Sequence, residues 1–169
     1  MGLARILSAL EGQFEAQLQE GLREEVSEFA EGELLSVSVA ARIRARIGQS
    51  LTVRSLNGET VTGIVKAVAE PWVLLEAGGE ELIQLASCVS VEPLGHSAPS
   101  RSPLESRLTY AYVLRQIARR RIRVRISAGD LVTAGAIVGV YADHIDLRTD
   151  TGITSIMIAH IFSVRTVAV

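Results

Sequence analysis

The sequence predicts a mainly β protein of the α+β class, in which a long N-terminal helix precedes two similar units of one helix and five short strands. Three observations support this fold class. Apolar residues recur every three or four positions through residues 3–30, as on one face of an amphipathic helix. Short alternating apolar runs, typical of strands, begin near residue 50. The second half of the chain then repeats the first with an offset of 71–73 residues.

The composition limits the classes of protein to consider. A chain of 169 residues with 48% apolar content fits one ordinary folded domain or two small ones. Its single cysteine, Cys88, excludes an intramolecular disulfide and fits a reducing compartment. The N-terminal stretch lacks the apolar length of a signal peptide or a membrane span. We therefore expect a cytoplasmic protein without membrane contact.

Two helices are predicted before the first strand. Residues 1–32 form the long amphipathic helix, with glutamates on its polar faces. Two glycines weaken this helix, so its apolar face is expected to pack against the rest of the chain or another subunit. The candidate partner contacts on it are Leu7, Phe14 and Leu18. A second helix, roughly 34–47, should stop at Gly48, a residue suited to a helix end. Its polar face is expected to be solvated and carries Arg42, Arg44 and Arg46.

Five β-type runs follow between residues 50 and 92, and they read SLTVRSL, ETVTGIVKAV, WVLLE, ELIQL and CVSVE. Asn57-Gly58 between the first two runs predicts a hairpin with a type I′ turn. The proline-, serine- and glycine-rich residues 95–101 predict a linker. The stretch Ser102-Pro103-Leu104-Glu105 then has the form of a capping box. It predicts a helix that runs to about Arg120, after which strands resume.

The internal repeat consists of four blocks that follow in the same order in both halves. The matched blocks are LTVRSLNGE (51–59) with IRVRISAGD (122–130), Gly63-Ile64-Val65 with Gly135-Ala136-Ile137, WVLL (72–75) with HIDL (144–147), and IQLASCVSV (83–91) with IMIAHIFSV (156–164). A unit of this size is near the lower limit for an independent core. Two units packed together, or rings of units, are therefore expected to be more stable than one alone.

The first repeat, residues 48–94, resembles bacterial Sm-like proteins of the Hfq type. The shared features are a leading helix, an apolar strand ending in Asn-Gly, a glycine five residues later in a long second strand, a VLL third strand, and two last strands around a short turn. The second repeat, residues 119–168, matches less well, and the chain also resembles two-repeat actinobacterial proteins. The resemblance implies two tandem five-stranded Sm-like (SH3-like) barrels, each preceded by a helix, at 33–94 and 102–169. Gly63 and Gly135 would then bend the long second strand of each barrel.

The same resemblance suggests RNA binding, but most residues that carry it in the family are replaced. Hfq-type proteins use a Lys-His pair between strands four and five, where this chain has Ala86-Ser87 in the first repeat and Ala159-His160 in the second. An aromatic and an amide residue before strand three are replaced by Glu70-Pro71 and Ala142-Asp143. A missing aromatic removes roughly 1–3 kcal/mol of stacking per base. The family's nucleotide pocket is therefore not expected to be intact.

A separate basic feature lies in the second half. Residues 1–96 carry 7 basic and 14 acidic side chains, whereas residues 97–169 carry 10 and 5. On a strand, alternate arginines of this segment would share one face. Such a stripe contacts an RNA backbone without sequence specificity, or it is a solvated face or a docking strip for the acidic N-terminal helix. A solvated face or a docking strip is favoured over RNA binding, because the chain is acidic and has few aromatics. The candidate nucleic-acid residues are Arg119, Arg120, Arg121, Arg123, Arg125 and His160.

The sequence contains no catalytic frame, metal-ligand spacing or phosphate loop, so it predicts no enzyme activity, no metal and no cofactor. His160 is expected to be structural, and Cys88 buried and inert. Trp72 is either a core residue, which is favoured, or an exposed anchor for a partner. We therefore predict a non-enzymatic assembly or adaptor module that forms a homo-oligomer or binds a protein partner. RNA binding through the arginines is the alternative, and no small-molecule substrate is expected.

Overall fold

The computed structural model of the protein describes residues 34–101, 103 and 105–167. The chain divides into two units, Met1–Val37 and Ser38–Val169. The predicted N-terminal helix, with Leu7, Phe14 and Leu18, lies outside the described residues. In the second unit the described residues form two α-helices, three 3-10 turns and ten β-strands.

The elements of the second unit fall into a first half, residues 38–94, and a second half, residues 105–167. The helices are α1 (Val39–Arg44) and α2 (Tyr110–Arg119). The first-half strands are β1 (Ser50–Ser55), β2 (Thr60–Ala69), β3 (Trp72–Glu76), β4 (Glu80–Gln84) and β5 (Cys88–Glu92). The second-half strands are β6 (Arg123–Ala128), β7 (Leu131–Val140), β8 (His144–Thr149), β9 (Gly152–Met157) and β10 (Ile161–Thr166). The 3-10 turns are Leu85–Ser87, Glu105–Arg107 and Ile158–His160.

All ten strands belong to one open antiparallel sheet in the order β5-β1-β2-β3-β4-β10-β6-β7-β8-β9. The predicted pair of separate Sm-like, Hfq-type barrels is therefore wrong. To close a five-stranded barrel, the fourth strand of a half would have to pair with its fifth. Instead, β4 pairs with β10 of the other half, which joins the two halves into a continuous sheet.

The sequence repeat reappears as a repeat of strand pairing. In the first half Val73 pairs with Ile83, and the corresponding pair in the second half is Ile145 with Ile156. Each half has a register shift in its long second strand and another in its last strand. The two halves thus share both their strand order and their irregularities.

Two glycines occupy equivalent places on the long strands, where the neighbouring backbone comes close. A Cβ added to Gly63 would lie 2.6 Å from the carbonyl oxygen of Glu76, and one added to Gly135 would lie closer still to that of Arg148. Real Cβ atoms do not approach a carbonyl this closely, so both positions require glycine. Glycine is needed because the backbone of the adjacent strand comes too close for a Cβ atom.

The first hairpins of the two halves differ in loop length. The β1–β2 loop holds four residues, Leu56–Glu59, and the β6–β7 loop holds two, Gly129 and Asp130. The predicted hairpin at Asn57-Gly58 is confirmed, but its type I′ turn is wrong, because only Gly58 of the two has a positive φ, 83°. The shorter second loop also shifts the alignment of the first strands by two residues.

The pairing of the first strand with the second in each half shows this shift. Leu51 pairs with Gly63, and Val124 pairs with Gly135. Leu51 therefore corresponds to Val124, whereas the sequence alignment matched it with Ile122. A shift of two residues leaves every side chain on its original face, so the alternating pattern cannot reveal it.

Two hydrophobic cores share the central strands of the sheet. The first core lies under α1 and the second core under α2. In β4, Ile83 belongs to the first core and its neighbour Leu82 to the second. Phe162 of β10 packs into the first core and is 3% exposed. Because both faces of these strands are covered, the halves are joined by packing as well as by backbone hydrogen bonds.

The predicted start of the helix that follows the linker is wrong. α2 begins at Tyr110, where the Thr109 hydroxyl caps it by accepting from the Tyr112 amide at 3.2 Å. Glu105, assigned to the capping box, lies in a 3-10 turn and binds Arg44 of α1. The Arg44 Nη2 to Glu105 Oε2 distance is 2.5 Å, and the two side chains are only 9% and 15% exposed.

The arginines of α1 do not form the predicted solvated face. Besides its ion pair with Glu105, Arg44 donates from Nη1 to the Pro99 carbonyl at 2.7 Å. Arg42 donates from Nε to the Gly95 carbonyl at 2.7 Å. Both side chains therefore attach the segment that links the halves to the first helix.

Candidate assembly edges and a basic groove

In the described part of the chain, the sheet ends in two strands, β5 and β9, whose outer edges have no partner. Such edges offer rows of backbone N–H and C=O groups, and proteins commonly protect them with charges or prolines. β9 reads GITSIM and has neither, and its Ile153 is 59% exposed. β5 reads CVSVE, has one charge at its end, and exposes 56% of Val89. Both edges are therefore open to pairing with another strand.

The junction between the halves shows how a pair of such edges is joined. β10 runs antiparallel to β4, with Ser163 opposite Ile83 and Val164 opposite Leu82. Both β4 residues are buried, one on each face of the sheet. The junction therefore buries apolar side chains on both faces in addition to completing the backbone ladder.

Polar side chains add further bonds across the same junction. Arg165 donates from Nη2 to the Ala77 carbonyl at 3.0 Å. The Ser87 hydroxyl, in the 3-10 turn after β4, donates to the Ile161 carbonyl at 2.9 Å. Hydrogen bonds from both ends of the paired segment thus fix its register.

The two free edges are the counterparts of the two strands that form this junction. β9 holds the place in the second half that β4 holds in the first, since both pair with the third strand of their half in the same register. β5 corresponds in the same way to β10, since both pair with the first strand of their half. Val89 and Phe162 are equivalent positions, each skipped by a register shift. One is exposed and the other is buried in the neighbouring half.

His160 lies at a recess of about 330 Å³ where turns of both halves meet. The recess also includes Asn57, Ser87, Cys88 and Ser127. Asn57 donates from Nδ2 to Asp130 at 3.2 Å, and the Ser127 hydroxyl donates to Glu59. His160 itself is exposed in its 3-10 turn. The structure thus groups polar side chains around His160 but places none of the candidate arginines on this recess.

Cys88 lies at the start of the edge strand β5. It is half-buried, and burial raises the pKa of its thiol to about 11. Its Sγ donates to the Gln84 carbonyl at 3.6 Å. A thiol with this pKa is almost fully protonated at neutral pH and is a poor nucleophile. The predicted burial of Cys88, however, is only partial.

The five candidate arginines do not form one stripe. Arg123 and Arg125 lie on β6 and are exposed on the same face. Arg121 precedes this strand and has a φ of 52°, so it does not continue the alternation. Arg120 borders a small apolar crevice between α2 and β3, and Arg119 ends α2. Arg123 is also partly neutralised by Asp150, at 3.2 Å between Nη2 and Oδ2.

Two of these arginines nonetheless come together with a third that the sequence interpretation missed. Arg119, Arg121 and Arg148 line an open groove of about 600 Å³ between the end of α2 and strands β7 and β8. Its remaining lining is apolar and consists of Ala118, Ala136, Ile137 and Val138. We refer to this surface as the basic groove. Arg148 lies 23 residues beyond the cluster in sequence. The only sign in the sequence that it faces outwards is the alternation of β8, in which Ile145 and Leu147 face the core.

Trp72 lies in the second core, where its Nε1 donates to the Leu108 carbonyl at 2.6 Å. This buried position leaves the indole in contact with α2 and its preceding loop rather than at the surface.

Within the residues that the structure describes, no three potential metal ligands come together.

No model of a known protein family matches the chain, and no curated protein matches it significantly. Among the described residues, no helix combines the length and hydrophobicity needed to cross a bilayer.

Proposed function

We propose that the protein is a non-enzymatic assembly module, in which the β9 edge of one copy pairs with the β5 edge of the next. The observation that carries the proposal is the β4–β10 junction. Its two strands are the repeat counterparts of the two free edges, so each chain already contains one example of the interface that it offers at both ends.

The properties of the edges support this pairing. The β9 edge lacks the charges and prolines that prevent strand addition. Val89 on β5 is exposed, whereas its counterpart Phe162 packs into the core of the neighbouring half. In an assembly, Val89 would pack in the same way against the second core of the preceding copy, which contributes β9. Full burial of an exposed apolar side chain of this size contributes about 1.5–3 kcal/mol, and Val89, which is 56% exposed, would gain a corresponding part of it.

The proposed contact joins two different surfaces, so it is heterologous and propagates in one direction. Such contacts form a closed ring where the rotation between copies closes, and a filament where it does not.

We also propose that the assembly lies in the cytoplasm, since the half-buried single cysteine agrees with a reducing compartment.

Multi-angle light scattering tests the proposal. One chain has a mass of 18.2 kDa, and we expect the full chain to have a mass of two or more chains in solution. A charge introduced on either edge, by Val89→Lys or Ser155→Lys, should reduce the mass to that of one chain. The counterparts of these residues at the internal junction, Phe162 and Leu82, are buried, so the assembly would have to bury the new ammonium group. Both residues are exposed, so the monomer should still fold.

Thr60→Lys is the matched control, since it adds the same charge at an exposed position on the interior strand β2. It should leave the mass unchanged. A wild-type chain with the mass of a monomer would refute the proposal, and so would edge variants that assemble as the wild type does.

A further inference from the structure

We propose that the basic groove binds phosphate groups. Arg119, Arg121 and Arg148 come from a helix end, a turn and a strand, and all three line the same open groove. No ion pair joins any of them to a carboxylate of the described residues. The lining of the groove contains no acidic side chain. Its positive charge is therefore available to an anion from solution.

The backbone of Arg121 is the second observation. Its φ of 52° lies in the left-handed region, which strongly favours glycine. The first half has Gly48, with a φ of 82°, at the corresponding turn between helix and first strand. An arginine at this position retains a strained backbone that a glycine would relieve. Strain of this kind is typical of functional positions, where the side chain is needed in a fixed place.

The lining favours phosphate over other anions. A phosphate group offers more charge and more acceptor oxygens than a carboxylate, and guanidinium groups bind it through paired hydrogen bonds. Three arginines in one groove of about 600 Å³ can contact more than one phosphate group. The described lining contains no aromatic side chain on which a base could stack. The expected ligand is therefore recognised by its phosphates, as in a diphosphate or the backbone of a single-stranded nucleic acid.

Two probes distinguish these sources. Inorganic pyrophosphate is titrated by calorimetry, and a labelled single-stranded RNA of mixed sequence is titrated by fluorescence anisotropy across a salt series. Binding of pyrophosphate alone would identify a small phosphorylated ligand, and binding of RNA alone would identify a nucleic-acid backbone. Failure of both probes to bind at low salt would overturn the proposal.

Charge-matched variants test whether the groove is the site. Arg119→Gln/Arg148→Gln removes two groove charges, and Arg54→Gln/Arg107→Gln removes two exposed charges outside it. The groove variant should bind the probe at least about tenfold more weakly, because each arginine–phosphate contact is charge-assisted. The control should change binding by less than about threefold, through screened long-range charge. Equal losses in both variants would overturn the proposal.

Arg121→Gly gives a result that a purely structural role cannot produce. It should raise the melting temperature by about 2–4 °C, because glycine relieves the left-handed backbone, and it should weaken binding about tenfold. Unchanged binding, with or without a change in melting temperature, would contradict the proposal. The inference is independent of the assembly proposal, since edge variants that remain monomeric should still bind the probe.

Discussion

The two halves of the sheet have the same strand order and the same register shifts, but they differ in helix length, in charge and in the use of their edges. α1 has 6 residues and α2 has 10. The first half uses β4 to bind the second half, whereas the counterpart strand β9 is free. Residues 47–96 carry 2 basic and 6 acidic side chains, and residues 97–169 carry 10 and 5. The basic groove belongs to the second half alone.

This comparison separates what the fold requires from what each half adds. The paired strands and the glycines at close approaches recur, because a side chain there would clash with the next strand. The turn before the first strand needs only a left-handed residue, and it is Gly48 in one half and Arg121 in the other. The fold therefore requires a left-handed backbone at this turn, and the second half carries an arginine there in spite of the strain.

The largest expected effect tests the difference between used and free edges. Phe162→Ala should lower the free energy of unfolding by about 3–5 kcal/mol, because it leaves a cavity in the first core. Val89→Ala, at the equivalent position, should change it by less than about 0.5 kcal/mol in a monomer, because that side chain is exposed. Urea denaturation at low protein concentration measures both. Similar losses in the two variants would contradict the assignment of β10 as a used edge and β5 as a free one.

A smaller effect tests what the halves share. Gly63→Ala and Gly135→Ala should each cost about 1–3 kcal/mol, because the new Cβ meets a backbone carbonyl that cannot move alone. Gly95→Ala is the control, since a Cβ there meets open space and its φ is not positive. Thermal melts compare the three variants. A tolerated alanine at either strand position would show that the close approach is not required.

The sequence predicts the strands of the first half well, but it predicts the helix bounds and the association of the strands poorly. The five runs between residues 50 and 92 coincide with β1 to β5, because alternating apolar residues and turn glycines are local signals. Whether β4 pairs with β5 or with β10 depends on contacts between residues far apart in sequence. No local pattern distinguishes these partners, and the family resemblance left open whether the two units pair within one chain or between chains.

The candidate site is predictable only in part for the same reason. The run from Arg119 to Arg125 predicts a basic surface, but the left-handed turn at Arg121 and the distant Arg148 decide where the groove lies. The capping-box pattern at Glu105 is a local signal that a tertiary ion pair with Arg44 overrides. Sequence patterns thus identified the residue types, and tertiary contacts determined which of them meet.

Cross-linking between copies tests the proposed assembly most directly. In the internal junction Val164 lies opposite Leu82, and the corresponding pair between copies is Val91 with Ser155. In a Cys88→Ser background, Val91→Cys/Ser155→Cys should form intermolecular disulfides on mild oxidation, because directly opposite residues have suitable Cβ separations. Val91→Cys/Thr154→Cys is the control, since a shift of one residue places the second thiol on the other face. We expect a ladder of covalent oligomers on a non-reducing gel for the first pair only. Monomer alone for both pairs, or equal cross-linking of both, would contradict the proposed pairing of β9 with β5.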